Sequence, residues 1–466
     1  MNTLTSTASP ARPAANPGET RTRQMLHAPV VATLFRLATP NIIGLAAMTL
    51  TIGYDGFILG KLGAHALAGI ALVLPLSMLM LHMSAGGIGG AATAAVARAL
   101  GAGRSADATR LAQHALFVAA IAAALFTLAQ AGFGRAVYAV MGGRGGALGQ
   151  ALAYSNVLFG GAVVIWLTNV LAGIVRGSGN MLLPSLALLG TALVHVVLCP
   201  LLVFGWGPVQ GLGIAGAATS TLTANALSAA LMAAHLLRPD GTLYLRRVVW
   251  QLRADVLRDI LRVGIPASIS PVISNLSIAL ATAFVGSYGT AALAGFGVAA
   301  RLEYILVPIA FGFGSALTAM VATNMGAGQS ERAMRVTWAG AAVVAAVTGS
   351  IGLAAALAPA LWMNLFTADS AVRSFGSLYL NIVGGCYSLF GLGLALLFAS
   401  QGAGRMMWPL VASTGRLVVV AGAGWACVHL LHAPAAGFFF VVAGSFVVYA
   451  VTMAAAIRLG GWARRR

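Results

Sequence analysis

Twelve stretches of about 20 mostly apolar residues recur between residues 38 and 457, and this recurrence dictates what the chain can fold into. They cover 38–60, 70–97, 111–133, 151–173, 183–204, 214–236, 264–287, 294–324, 336–364, 376–399, 408–430 and 436–457. A helix rises about 1.5 Å per residue, so about 20 residues cross the roughly 30 Å of hydrocarbon in a bilayer. Backbone groups in lipid must be satisfied within the protein, and segments this long and continuously apolar are helices rather than barrel strands, which are short and alternating. The expected fold is an all-α membrane protein of twelve transmembrane helices. Composition agrees, since 59% of the 466 residues are apolar and 8% charged, too little polar surface for a soluble globule.

The formal net charge of +18 invites a nucleic-acid reading, which its distribution opposes. Of 27 Lys and Arg residues, 21 fall in the N-terminal tail, the even-numbered connections and the C-terminal tail, including Arg98, Arg176 and the run from Arg238 to Arg262. Four, Lys61, Arg135, Arg144 and Arg373, fall in the odd-numbered connections, and Arg301 and Arg416 lie inside spans. By the positive-inside rule both termini are cytoplasmic, in a bacterial inner membrane, with anionic lipid headgroups as a partner. Residues 1–35 read as a disordered tail without a signal-peptide core, so the first span serves as an uncleaved signal. Cys199, Cys386 and Cys427 are odd in number and sit in apolar spans, which argues against a disulfide framework. No CxxC or His-rich spacing suggests a metal, and no cofactor is expected.

The chain repeats itself. Pro40 and Pro266 each open a span, and Gly60 to Gly69 matches Gly286 to Gly295 at the same offset of 226. At an offset of 225, Gly87-Ile-Gly89 matches Gly312-Phe-Gly314, Gly101-Ala-Gly103 matches Gly326-Ala-Gly328, and the segment from Arg176 to Pro184 matches that from Gln401 to Pro409. An even number of spans per unit makes the repeat parallel, with its axis along the membrane normal. Two six-helix lobes, 36–237 and 263–457, are expected around a central cavity, joined by a cytoplasmic linker over 238–262 and followed by a basic tail, 458–466. The Gly-x-Gly pairs lack the strand and the Lys-Ser/Thr ending of a phosphate loop and read as helix caps.

Nine acidic residues exist, and seven lie in tails or connections. Asp55 lies fifteen residues beyond Pro40, about 20 Å along a helix. A carboxylate there either binds a cation, takes up a proton, or pairs permanently with a donor such as Lys61 or Tyr54. Its repeat mate is Ala281, so any coupling chemistry belongs to the first lobe. His195 and Cys199 lie one turn apart, and histidine titrates in the physiological range, so His195 either shares a proton with Asp55 or is hydrogen-bonded within the bundle. Asp55 and His195 are the ion-coupling candidates. Tyr54, Asn169, Cys199, Thr219, Asn225, Asn275 and Glu303 are the substrate-contact candidates, with Ser220 and Thr221 also polar within the sixth span. Glu303 serves either in transport or in a structural pair, with Arg416 as a partner.

These residues resemble the MATE (multidrug and toxic compound extrusion) transporters from about residue 34 onward. The likeness rests on Pro40 with Asp55-x4-Gly60-x2-Gly63-x2-Ala66-Leu67-Ala68-Gly69, on Arg176-Gly-x-Gly179, on Leu212-Gly-Ile-x-Gly-Ala-Ala-Thr219, on Asn324-x-Gly326-Ala-Gly328 and on Gln401-Gly-x-Gly404. It implies an antiporter that exchanges organic, often cationic, drugs for protons or sodium ions, and it makes Asp55 the first-lobe coupling carboxylate. Many prokaryotic members face that carboxylate with an Asn and an Asp on the fifth span. His195 and Cys199 stand in those places, which removes oxygen ligands of the kind sodium prefers and favours a proton. No acidic residue lies between Val263 and Gly289 or between Gly376 and Gln401, which places the chain closer to the DinF-like branch. The rival reading is a lipid-linked oligosaccharide or lipid flippase of the same superfamily, while an enzyme lacks clustered ligands at helical spacing. The expected partners are a small-molecule substrate, H+ before Na+, and lipids, with the chain acting as a monomer.

Overall fold

The computed structural model describes residues 17–207, 209–239 and 241–459. Ten helices in it are long and apolar enough to cross a membrane, and Gly145–Gly160 with Ala162–Gly177, bent by 50°, makes an eleventh crossing. In chain order the spans are Val30–Gly60, Ala64–Gly101, Ser105–Val140, the bent pair, Leu182–Phe204, Ile214–Leu236, Ala254–Gly286, Thr290–Gly326, Ser330–Leu357, Ser370–Gly402, Met407–Leu430 and Ala435–Arg458. The sixth, Ile214–Leu236, is interrupted by Thr219, Ser220, Thr221, Thr223, Asn225 and Ser228, which is why it is not among the helices that pass on apolar length. Its polarity is matched inward: Ser228 Oγ donates to the Ala187 carbonyl of the fifth span at 3.0 Å. Beyond the helices, Gly205–Trp206 pairs with Val209–Gln210 in a short antiparallel turn between the fifth and sixth spans.

The fold is the expected one, twelve transmembrane helices in two six-helix lobes related by a parallel repeat, and the glycine repeat has a three-dimensional meaning. A Cβ at Gly101 would stand 2.1 Å from the Thr323 carbonyl, and one at its repeat mate Gly326 would stand 2.0 Å from the Arg98 carbonyl. Arg98 and Thr323 are themselves 225 residues apart, so the second and eighth spans cross by a pseudo-twofold contact of bare backbone. The second glycine of each motif, Gly103 at φ +74° and Gly328 at φ +75°, is the left-handed cap. The sequence reading as caps therefore holds for the second glycine, while the first admits the facing lobe.

Hydrogen bonds between the lobes, among the described residues, are confined to one half of the molecule. Asn41 Nδ2 donates to Ser315 Oγ at 2.8 Å, Gln401 Nε2 to the Gly86 carbonyl at 2.7 Å, and Arg98 Nη1 to the Gly402 carbonyl at 3.1 Å. All lie between mid-membrane and the face carrying the termini, so the lobes are pinned together on that face, while away from it the second lobe's apolar core forms a cluster distinct from that of the first.

Three expectations need correction. The N-terminal tail is helical over Pro17–His27, and the first span already begins at Val30. Met25 is buried there, accepting from Asn324 Nδ2 through its carbonyl at 3.1 Å, so the segment is held by tertiary contacts that an apolar-stretch criterion overlooks. Residues 1–16 and the basic tail beyond 459 lie outside the described residues. The linker expected over 238–262 ends earlier, because the seventh span starts at Ala254. Arg98 and Arg176, assigned to connections, sit in the last turns of helices; Arg176 is 6% exposed and its Nε has no hydrogen-bond partner.

Candidate functional site

The first-lobe site is built where the first, fifth and sixth spans meet. Asp55 lies five residues before the end of Val30–Gly60, toward the face opposite the termini. Its Oδ1 stands 2.7 Å from His195 Nε2, with side chains 18% and 6% exposed respectively. One turn further along the fifth span, the Cys199 thiol reaches the same oxygen at 3.9 Å. The other face of the imidazole is held by the sixth span: Ser220 Oγ lies 3.0 Å from His195 Nδ1 and Thr221 Oγ1 lies 3.4 Å from it. Fixing one ring nitrogen aims the other at the carboxylate. Lys61 is not the partner of Asp55; its ammonium sits over the Phe57 ring, 4.6 Å from the centroid. The carboxylate and imidazole thus form a hydrogen-bonded pair that can carry one proton between them, with the carboxylate side chain partly exposed.

The remaining sequence candidates scatter. The Tyr54 hydroxyl donates to the Val196 carbonyl at 2.9 Å, fastening the first span to the fifth beside the site. Thr219 Oγ1 donates to its own helix at Ala215. Asn225 is committed to Thr221 and accepts from Thr168 Oγ1 through its carbonyl at 3.0 Å. Asn169 donates to Ser84 Oγ at 2.8 Å, within the π-helical stretch His82–Gly89 of the second span. Asn275 is exposed on the seventh span and donates to the Pro271 carbonyl of its own helix.

Glu303 centres a second polar cluster in the other lobe. Its Oε1 accepts from Tyr379 Oη at 2.7 Å and from Tyr387 Oη at 3.4 Å, both from the tenth span. Arg416 does not pair with it at ion-pair distance; the guanidinium lies over Phe446 and Phe390, 4.7 and 5.7 Å from the ring centroids. Its Nε is buried without a hydrogen-bond partner, at 7% residue exposure. The two tyrosines carry no charge to mark them in the sequence, and their spacing of eight residues along one span is the signal of a shared face.

Two parallel six-helix lobes, pinned together on one face and carrying buried ionisable groups within the bundles, define a multi-pass membrane carrier. The MatE family model matches residues 40–201 and again 266–425, once in each lobe. The chain belongs to the MatE family, the MATE transporters, and is a transporter rather than an enzyme. It is similar to the FAD transporter of Shewanella oneidensis, 26% identical over 398 residues, covering 85% of this chain and 87% of that one. It is similar to the probable multidrug resistance protein YoeA of Bacillus subtilis, 24% identical over 363 residues, covering 76% of each. In fold it resembles a MOP superfamily transporter from Pyrococcus furiosus, with a TM-score of 0.86 at 23% identity, covering 95% of this chain and 98% of that one.

Proposed function

We propose that this chain is a proton-coupled secondary antiporter that exports amphipathic, often cationic, compounds across a bacterial inner membrane by alternating access, acting as a monomer with both termini cytoplasmic. The observation that carries this reading is the Asp55–His195 contact of 2.7 Å inside a helix bundle. A carboxylate held there is stable when neutralised, and a hydrogen-bonded imidazole neutralises it with one proton. Arrival of that proton from the open face weakens the site's hold on a cationic substrate, and its departure on the other side resets the site. The departure of His195 and Cys199 from oxygen ligands supports H+ over Na+, and the lack of acidic residues in the seventh and tenth spans supports placement near the DinF-like branch. With the termini cytoplasmic, pinning on their face corresponds to an outward-open state. Asp55 and His195 are the coupling residues, with Tyr54, Cys199, Thr219 and Asn225 along the same lobe wall. Asn169, Asn275 and Glu303 remain candidates for the cavity as it rearranges.

A second reading is an anionic aromatic substrate of the kind named for the Shewanella relative. Arg176 favours it, a buried arginine with an unpartnered Nε that lines a small inter-lobe pocket with Thr93, Ser315, Thr318 and Gln401. Energised vesicles decide between them. A fluorescent cation expelled until the proton gradient, but not the sodium gradient, is collapsed supports the first reading; movement of a flavin nucleotide without the cation supports the second, and movement of fluorescent lipid alone returns the flippase reading.

A further inference from the structure

Asp55, His195 and Cys199 place a carboxylate oxygen, an imidazole nitrogen and a thiol sulfur within 4.8 Å of one another. Two come from one face of the fifth span, four residues apart, and the third from a helix 140 residues earlier. Linear spacing therefore gave no metal motif. A thiolate, an imidazole and a carboxylate suit a borderline-soft divalent cation, not a hard monovalent one. In a tetrahedral zinc site, bonds of about 2.0–2.1 Å to O and N and about 2.3 Å to S put O and N about 3.3 Å apart and O and S about 3.5 Å apart. Here those separations are 2.7 and 3.9 Å, and all three atoms lie within 4.8 Å of one another, so rotation of the Asp55 and Cys199 side chains is what a seat requires.

The surroundings are those of a built metal site. Ser220 at 3.0 Å and Thr221 at 3.4 Å hold His195 by Nδ1 and present Nε2, the arrangement by which outer-shell partners orient a ligating histidine. The Asp55 side chain is 18% exposed, so the carboxylate is not closed off on every side.

We propose that Asp55, His195 and Cys199 form a binding site for a divalent cation of the Zn2+ class, occupied in competition with the coupling proton. On binding, the Cys199 thiol releases its proton to solvent as the metal–sulfur bond forms, and the proton between Asp55 and His195 leaves as both become ligands. The dipositive ion then faces two anionic ligands and one neutral one, so the buried site ends neutral. Its ligand chemistry stands apart from the antiport reading; only the inhibition it predicts rests on that reading.

Co2+ titrated into the purified full-length protein, with no gradient present, is the direct probe. A thiolate-to-cobalt charge-transfer band is expected at one ion per chain, lost in Cys199→Ser, kept in the double variant Cys386→Ser/Cys427→Ser, and displaced by Zn2+. Asp55→Asn should retain the band with affinity lowered about 10–100-fold. In proteoliposomes Zn2+ should inhibit dye transport, and Cys199→Ser should raise the inhibitory concentration at least about tenfold relative to its own zinc-free rate. A parent without the band, a band that persists in Cys199→Ser, or one lost in the double variant overturns the site. A thermal-unfolding check on each variant assigns a lost band to the ligand rather than to misfolding. Proton-independent efflux with an intact cobalt band would overturn the coupling reading and leave the metal site standing.

Discussion

Ser220 governs His195 without touching Asp55, because its hydroxyl lies 3.0 Å from the far ring nitrogen. Removing it leaves a buried nitrogen short of a partner at a cost of about 1 kcal/mol. Ser220→Ala should therefore lower proton-driven efflux about fivefold while Ser220→Thr restores it, measured as initial dye-efflux rates at equal protein abundance. In the second lobe, distance ranks the tyrosines. Tyr379 donates to Glu303 at 2.7 Å and Tyr387 at 3.4 Å, so Tyr379→Phe should destabilise by about 1–3 kcal/mol and Tyr387→Phe by less, read from thermal unfolding in detergent. At this scale much of the first site was legible, since the first lobe's one acid well inside a span and a histidine one turn from a cysteine are visible in a linear chain. Glu303's partners were not, because a neutral hydroxyl carries no charge signal and only the packing of the eighth span on the tenth brings it into reach.

At the scale of elements, the repeat was legible as spacing but not as function. Identical offsets in Gly101 and Gly326 announce duplication, yet only the fold reveals that each glycine faces the carbonyl of the other's neighbour across the lobe seam. Overlap of a Cβ with a backbone carbonyl cannot be relieved by a rotamer change, so Gly101→Ala and Gly326→Ala should each prise the second and eighth spans apart. Both variants should increase labelling of cysteines introduced at the termini face, to similar extents because the contact is pseudo-symmetric. A change at Gly103 meets open space and should cost only about 1 kcal/mol of backbone strain. The Pro17–His27 helix was illegible because a short, polar segment is marginal alone and depends on tertiary contacts such as the burial of Met25 between the lobes.

Across the whole molecule, the inter-lobe hydrogen bonds among the described residues gather toward the face carrying the termini, and the Asp55–His195 contact, the proposed coupling pair, lies toward the opposite face. The N-terminal helix bridges the lobe seam: Asn324 of the second lobe donates to Met25, and Gly179 of the first packs against the Met25 side chain. Deleting residues 17–27 should widen spin-label distances across the termini face, provided the protein inserts normally. Twelve spans and two lobes followed from apolar length and repeat alone, whereas the direction of opening depended on inter-lobe contacts that sequence periodicity does not encode. The most direct test of proton coupling through the first lobe compares efflux of a fluorescent cation by the parent and by Asp55→Asn under an imposed proton gradient in proteoliposomes. Near-complete loss of gradient-driven efflux at unchanged folding is the predicted result; a variant that transports as fast as the parent contradicts the account.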